Sequence, residues 1–112
     1  MQFAVLVYEK PGTYEGLSAA ELEQMSREYL EIAQLPGYIG GAQLQSIETA
    51  SAVRVEGRET LITDGPFANT KEVFGGFYLI EAANYDEAVQ RSMDHPHLEH
   101  GGTIEVRQLH LM

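Results

Sequence analysis

Gly76-Phe77-Tyr78-Leu79-Ile80-Glu81-Ala82 is the stretch on which the fold turns. Phe77 and Leu79 alternate with Tyr78 and Ile80, so large apolar side chains leave both sides of one extended segment. Directly after it, Asn84 and Glu87 stand at the spacing of an approximate capping box and predict a helix over 85–94. The inner face of that helix reads Tyr85, Ala88, Val89 and Ser92. Near the N-terminus the same two-sided pattern returns over residues 2–8, with Phe3, Val5 and Val7 on one face and Ala4, Leu6 and Tyr8 on the other. Pro11-Gly12 breaks that strand.

Between the two strands, Ser18-Ala19-Ala20-Glu21 is a capping box that opens a helix running to about Leu35. Leu22, Met25, Tyr29 and Ile32 recur at helical spacing and form its packing stripe. Tyr38 to Gln45 reads as a strand, with Gly40-Gly41 marking a bulge or a close backbone approach. Ala52–Val55 and Thr60–Thr63 are short extended runs joined through Gly57 as a hairpin. After the 85–94 helix, Gly101-Gly102 precedes a last strand from Thr103 to Leu109 with Ile104 and Val106 inward. The order β-α-β-(hairpin)-β-α-β predicts an α+β, ferredoxin-like antiparallel sheet with two helices on one face, in one domain over residues 1–112. Two helices cover only one face of such a sheet. The apolar second face predicts a homodimer formed by pairing two sheets.

Composition narrows function by exclusion. With 7 Lys+Arg against 17 Asp+Glu the chain carries a net charge of −10, which repels phosphate backbones and anionic membrane surfaces. Nucleic acid and membrane are therefore not expected partners. The absence of cysteine excludes thiolate metal sites and cysteine nucleophiles. No run of residues approaches the ~20 apolar positions of a membrane span, and the N-terminus has no signal-peptide pattern, so a cytoplasmic location is expected.

Few residues offer chemistry. His95, His97 and His100 place three imidazoles within six residues beside Pro96, in what reads as an exposed loop. Their spacing matches no helical ligand pair, so no metal is expected there, but any one of them can act as a base. Asp64 before Gly65-Pro66-Phe67 is ordinary turn chemistry on local grounds. Lys71 and Glu72 read as a surface pair. Tyr8, Tyr38, Phe67, Phe77 and Tyr78 form an aromatic set whose usual place is the core.

Taken together, Thr63-Asp64-Gly65-Pro66-Phe67-Ala68-Asn69-Thr70-Lys71-Glu72 closely resembles the signature of the DGPF family within the YCII-related proteins, with Asn69 where Glu is usual. Gly75 to Ile80 and the ending His95 to Arg107 are similar to that family as well, so the resemblance covers nearly the whole chain. It implies a ferredoxin-like subunit that pairs into a dimeric α/β barrel, a small-molecule ligand, and a link to extracytoplasmic-function sigma factors. Some YCII-type relatives resemble lyases that act on ring compounds through a first-helix His and an Asp near the second helix. The first helix here has no histidine, so that pair does not carry over. The resulting expectation is a cofactor-free lyase or isomerase with Asp64, His95 and His97 as catalytic candidates and Phe67, Lys71 and Tyr78 as substrate-binding candidates. The alternative is a non-catalytic ligand-sensing or regulatory module. A buried histidine inside a pocket favours the enzyme, whereas solvated imidazoles favour the module.

Overall fold

The computed structural model describes residues 1–12, 15–66, 71–93, 95, 98 and 101–110. Among the described residues, six strands and two α-helices follow in the order β1 (Gln2–Glu9), α1 (Ala19–Ile32), β2 (Tyr38–Gln43), β3 (Ser51–Glu56), β4 (Glu59–Asp64), β5 (Val73–Glu81), α2 (Tyr85–Ser92) and β6 (Thr103–Gln108). A 3-10 turn, Ile47–Thr49, leads into β3. Four strands make an antiparallel sheet in the order β2-β5-β1-β6, which is the ferredoxin-like arrangement the element order predicts. The two sequentially distant strands with apolar residues on both faces, β1 and β5, are its centre. Phe3 pairs with Ile80 and Val5 with Tyr78.

Local signals start both helices. Ser18 Oγ accepts from the Glu21 amide at 3.1 Å while the Glu21 carboxylate accepts from the Ser18 amide at 3.3 Å, a complete capping box. At α2, Asn84 Oδ1 accepts from the Glu87 amide at 2.9 Å, but the Glu87 carboxylate takes the Ala83 N–H instead of that of Asn84. Both helices stop short of the expected limits. Residues 33–35 turn tightly, with Leu35 N–H donating to Ile32 O at 3.0 Å and Tyr38 N–H to Leu35 O at 3.1 Å. Gly37 has φ +80°, and a Cβ there would land on the Glu81 carbonyl and the Arg91 guanidinium. Glycine is required because the turn sits directly on β5. Arg91 fastens the same corner from α2 by donating to Pro36 O at 3.1 Å and to Glu81 O, while pairing with Glu87.

The core lies between the sheet and the helices. It comprises Phe3, Val5, Val7, Tyr78, Ile80, Ala82 and Ala88, bordered by Ile32, Tyr38, Ile104 and Val106. The opposite face carries Ala4, Leu6, Tyr8, Phe77 and Leu79, all half-buried. Along α1 the expected stripe is only partly realised: Met25 is buried, Tyr29 and Ile32 are half-buried, and Leu22 is exposed. Glu28 takes an inward place instead, with Oε2 shielded from water and no hydrogen-bond partner among the described residues.

Strands β3 and β4 form a separate two-stranded sheet closed at its base by Gly65 N–H donating to Ala50 O at 2.6 Å. Apart from half-buried Ala52, every residue of the two strands is exposed. Val53, Val55 and Ile62 are 64%, 67% and 70% exposed. The hairpin stands away from the main body. The radius of gyration of 16.0 Å accordingly exceeds the about 13 Å of a compact chain this long.

Candidate functional site

A cavity of about 200 Å³ opens between α1 and the β2–β5 edge of the sheet. Val7, Tyr29, Leu30, Ile32 and Tyr38 supply apolar walls, and Phe77, whose side chain leaves the other face of the sheet, borders the cavity from β5. Gly41, Ala42, Gly75 and Gly76 line it without bulky side chains, Gln43 adds an amide, and Tyr78 and His95 complete it. Two of these glycines also let the strands approach. A Cβ at Gly41 would stand 2.6 Å from Tyr78 Cβ, and one at Gly76 would stand 2.8 Å from Ala42 O. The small residues that allow this pairing are the same ones that leave the cavity open on that side.

His95 is the centre of the arrangement. The chain turns twice after α2, with His95 N–H donating to Ser92 O at 3.2 Å and Leu98 N–H to His95 O at 3.1 Å. Those turns carry the imidazole inward, where it is 4% exposed. Its ring stacks on Tyr78 at 5.9 Å between centroids and 7° between planes, and meets Tyr29 edge-on at 5.5 Å and 68°. Tyr78 in turn lies 6.2 Å from Tyr38, so four rings run in sequence along the cavity. The expectation of a solvated loop histidine is thus overturned for His95. Pro96 lies outside the described residues; the turn that closes from His95 N–H to Ser92 O sets the imidazole against Tyr29 of α1.

Burial sets the protonation states. Withdrawal from water disfavours charge, which lowers the His95 pKa from 6.5 to about 4 and raises that of the Tyr78 phenol from 10.0 to about 12. At neutral pH the imidazole is uncharged, with one nitrogen donating and the other accepting, and Tyr78 keeps its proton. The cavity therefore offers a neutral base beside a neutral phenol.

The remaining sequence-derived candidates fall elsewhere. Asp64 ends β4 on the projecting hairpin, paired with Ser51 and exposed, and it does not line the His95 cavity. Lys71 is also exposed and outside it. His97 and Phe67, like His100 and Asp94, lie outside the described residues. Glu72, expected to form a surface pair with Lys71, accepts from Thr103 Oγ1 at 2.8 Å and 2.9 Å through its two carboxylate oxygens. Pro66 and Glu72, from the two ends of the DGPF run, line a second cavity of about 510 Å³ with Tyr8, Leu44, Ile47 and Phe74. Among the described residues, no group of three His, Asp or Glu stands close enough to hold a metal ion. Sequence reading placed Tyr29 and Tyr38 in the core and missed Gln43. The available signal was the occurrence of two glycine pairs, Gly40-Gly41 and Gly75-Gly76, on segments that become neighbouring strands, where Gly76 stands opposite Gln43.

Comparison with known proteins agrees with this architecture. A solved structure of 5-chloro-2-hydroxyhydroquinone dehydrochlorinase (TftG) from Burkholderia phenoliruptrix AC1100, in complex with 2,5-dihydroxybenzoquinone, superposes with a TM-score of 0.55. It shares 15% identity over 98% of this chain and 94% of that one, a likeness of fold. The uncharacterized protein R00369 of Rhizobium meliloti (strain 1021) is 36% identical, over 99% of this chain and 94% of its own length. The model of the YCII-related domain matches residues 1–112, and the chain belongs to the YCII-related family.

Proposed function

We propose that the His95 cavity binds a small ring compound and that the protein acts on it as a cofactor-free lyase or isomerase. The single observation behind this reading is the buried, uncharged imidazole of His95 held between Tyr29 and Tyr78 inside an open cavity. A cavity of about 150 Å³ lined by apolar side chains holds benzene, so about 200 Å³ accommodates one substituted six-membered ring. His95 takes a proton from an acidic C–H or O–H of the bound ring. The electron pair left behind forms a new double bond. In a lyase the pair expels a leaving group as an anion; in an isomerase the proton returns at another carbon. Tyr78, a phenol at neutral pH, is suited to donate a hydrogen bond to oxygen that gains charge. The fold shared with a dehydrochlorinase supports the lyase form. Asp64 has no part in this scheme. The burial of His95 weighs against the alternative of a non-catalytic sensing or regulatory module linked to sigma factors.

The second element of the proposal is a cytoplasmic homodimer. The half-buried apolar face Ala4, Leu6, Tyr8, Phe77 and Leu79, together with the exposed Val53, Val55 and Ile62 of the hairpin, supplies apolar surface for a second copy to cover. Among the described residues no helix is long and apolar enough to cross a membrane.

Turnover tests the catalytic reading. Halogenated hydroquinones and unsubstituted enolisable cyclic ketones serve as substrates, followed by halide release and by exchange of ring hydrogen with deuterated water. His95→Gln keeps a polar side chain of similar reach but loses the base, and a rate loss of about 100-fold or more is expected. Binding without turnover in the wild-type protein favours the sensing module and overturns the enzyme.

A further inference from the structure

We infer that the His95 cavity selects its ligand by charge, accepting uncharged rings and rejecting those that carry a carboxylate or phosphate. The inference rests on the proposed ligand site and adds a rule for what enters it.

All seven basic residues of the chain (Lys10, Arg27, Arg54, Arg58, Lys71, Arg91 and Arg107) belong to the described part, and none lines the cavity. The remaining positions contribute no lysine or arginine either. Among the described residues, nothing in the wall can form the bidentate or point-charge contact by which proteins hold carboxylates and phosphates. Histidine is the only cationic side chain left to the chain, and the buried His95 ring is uncharged at neutral pH. An anion entering would lose its hydration without a compensating charge, which is the costly direction of transfer.

One further feature acts in the same sense. The chain as a whole carries −10, so the long-range field opposes the approach of anions as well. The polar side chains that line the cavity among the described residues are Tyr29, Tyr38, Tyr78, Gln43 and His95. These match hydroxyl and carbonyl groups on an uncharged ring. Neutrality also suits the chemistry: a proton passing from a neutral ring to His95 yields an imidazolium beside an anion, a pair with no net charge to desolvate.

The test compares two ligands of nearly identical shape at pH 7, 4-hydroxybenzamide and 4-hydroxybenzoate, by titration calorimetry. Ala42→Trp and Leu30→Trp, each at an exposed lining position, serve as cavity-filling variants. The expected result is that the amide binds at least tenfold more tightly than the acid and that at least one tryptophan weakens its binding. An acid that binds as well as the amide, with both weakened by the substitutions, overturns charge selection and leaves the ligand site standing. If neither compound binds at millimolar concentration, or if neither tryptophan weakens binding, the site reading falls and this inference falls with it.

Discussion

Val5→Asp is expected to leave the chain unfolded, whereas Leu79→Asp, on the neighbouring central strand, is expected to leave it folded and monomeric. Val5 is wholly buried on the helix side of β1, in the layer with Phe3, Val7, Tyr78 and Ile80. A carboxylate forced into that layer without a partner costs several kcal/mol, comparable to the entire 5–15 kcal/mol stability of a typical domain. Leu79 sits opposite Ala4 in register but points to the other face, where side chains are only half-buried. In an isolated subunit the aspartate there remains hydrated, so the far-ultraviolet circular dichroism spectrum should be unchanged. In a dimer built on that face it lies in the interface, and sedimentation at micromolar concentration should give a species of 12.4 kDa, the mass of one chain. A Leu79→Asp protein that stays dimeric contradicts the assignment of the open face. A wild type that already sediments at that mass contradicts the dimer itself.

The second large effect is on the pH dependence of stability. In the unfolded chain His95 titrates near its ordinary 6.5, and in the folded protein near about 4. Between those values the unfolded state binds the extra proton, so stability rises with pH. The contribution of the neutral ring is complete above pH 6.5 and is lost as pH falls towards 4, after which it changes no further. The displacement of the pKa corresponds to about 3 kcal/mol. Carboxylates titrate over part of the same range, so the informative quantity is a difference. Urea unfolding of the wild type and of His95→Gln should show stability falling more steeply between pH 6.5 and 4 in the wild type. Parallel curves would mean that His95 is solvated.

The outcome for the fold and the site follows from what kinds of interaction decide each. β1 and β5 were legible because alternation of large apolar residues is a local signal with one structural solution, and the helices because Ser18 and Asn84 announce their starts. The hairpin was legible as a hairpin, but nothing in residues 51–64 tells that it forms its own sheet. Helix ends were overextended because apolar residues continue to Leu35, and the turn that stops α1 depends on the close seat of Gly37 against Glu81. Along α1 the stripe was legible at Met25, Tyr29 and Ile32, and it fails at Leu22, in the first turn, which is exposed.

The site divided along the same line. His95 was identified by residue type, and its burial was not, because burial is created by two successive turns that bring it under a distant helix. Tyr78 was visible as an aromatic on a strand, with no local sign that an imidazole would stack on it. Asp64 drew attention through a motif that is conspicuous in the chain, yet it sits on the exposed end of β4. A conspicuous motif names a family without placing Asp64 in the His95 cavity.

The central claim is that the cavity around His95 is where this protein meets its ligand. The most direct measurement is the nuclear magnetic resonance signal of the His95 ring, assigned by its loss in His95→Gln, during titration with hydroquinone. The account predicts a saturable shift of that signal, accompanied by shifts at Tyr29, Tyr38 and Tyr78. A His95 signal that stays fixed while residues on another surface respond would contradict it.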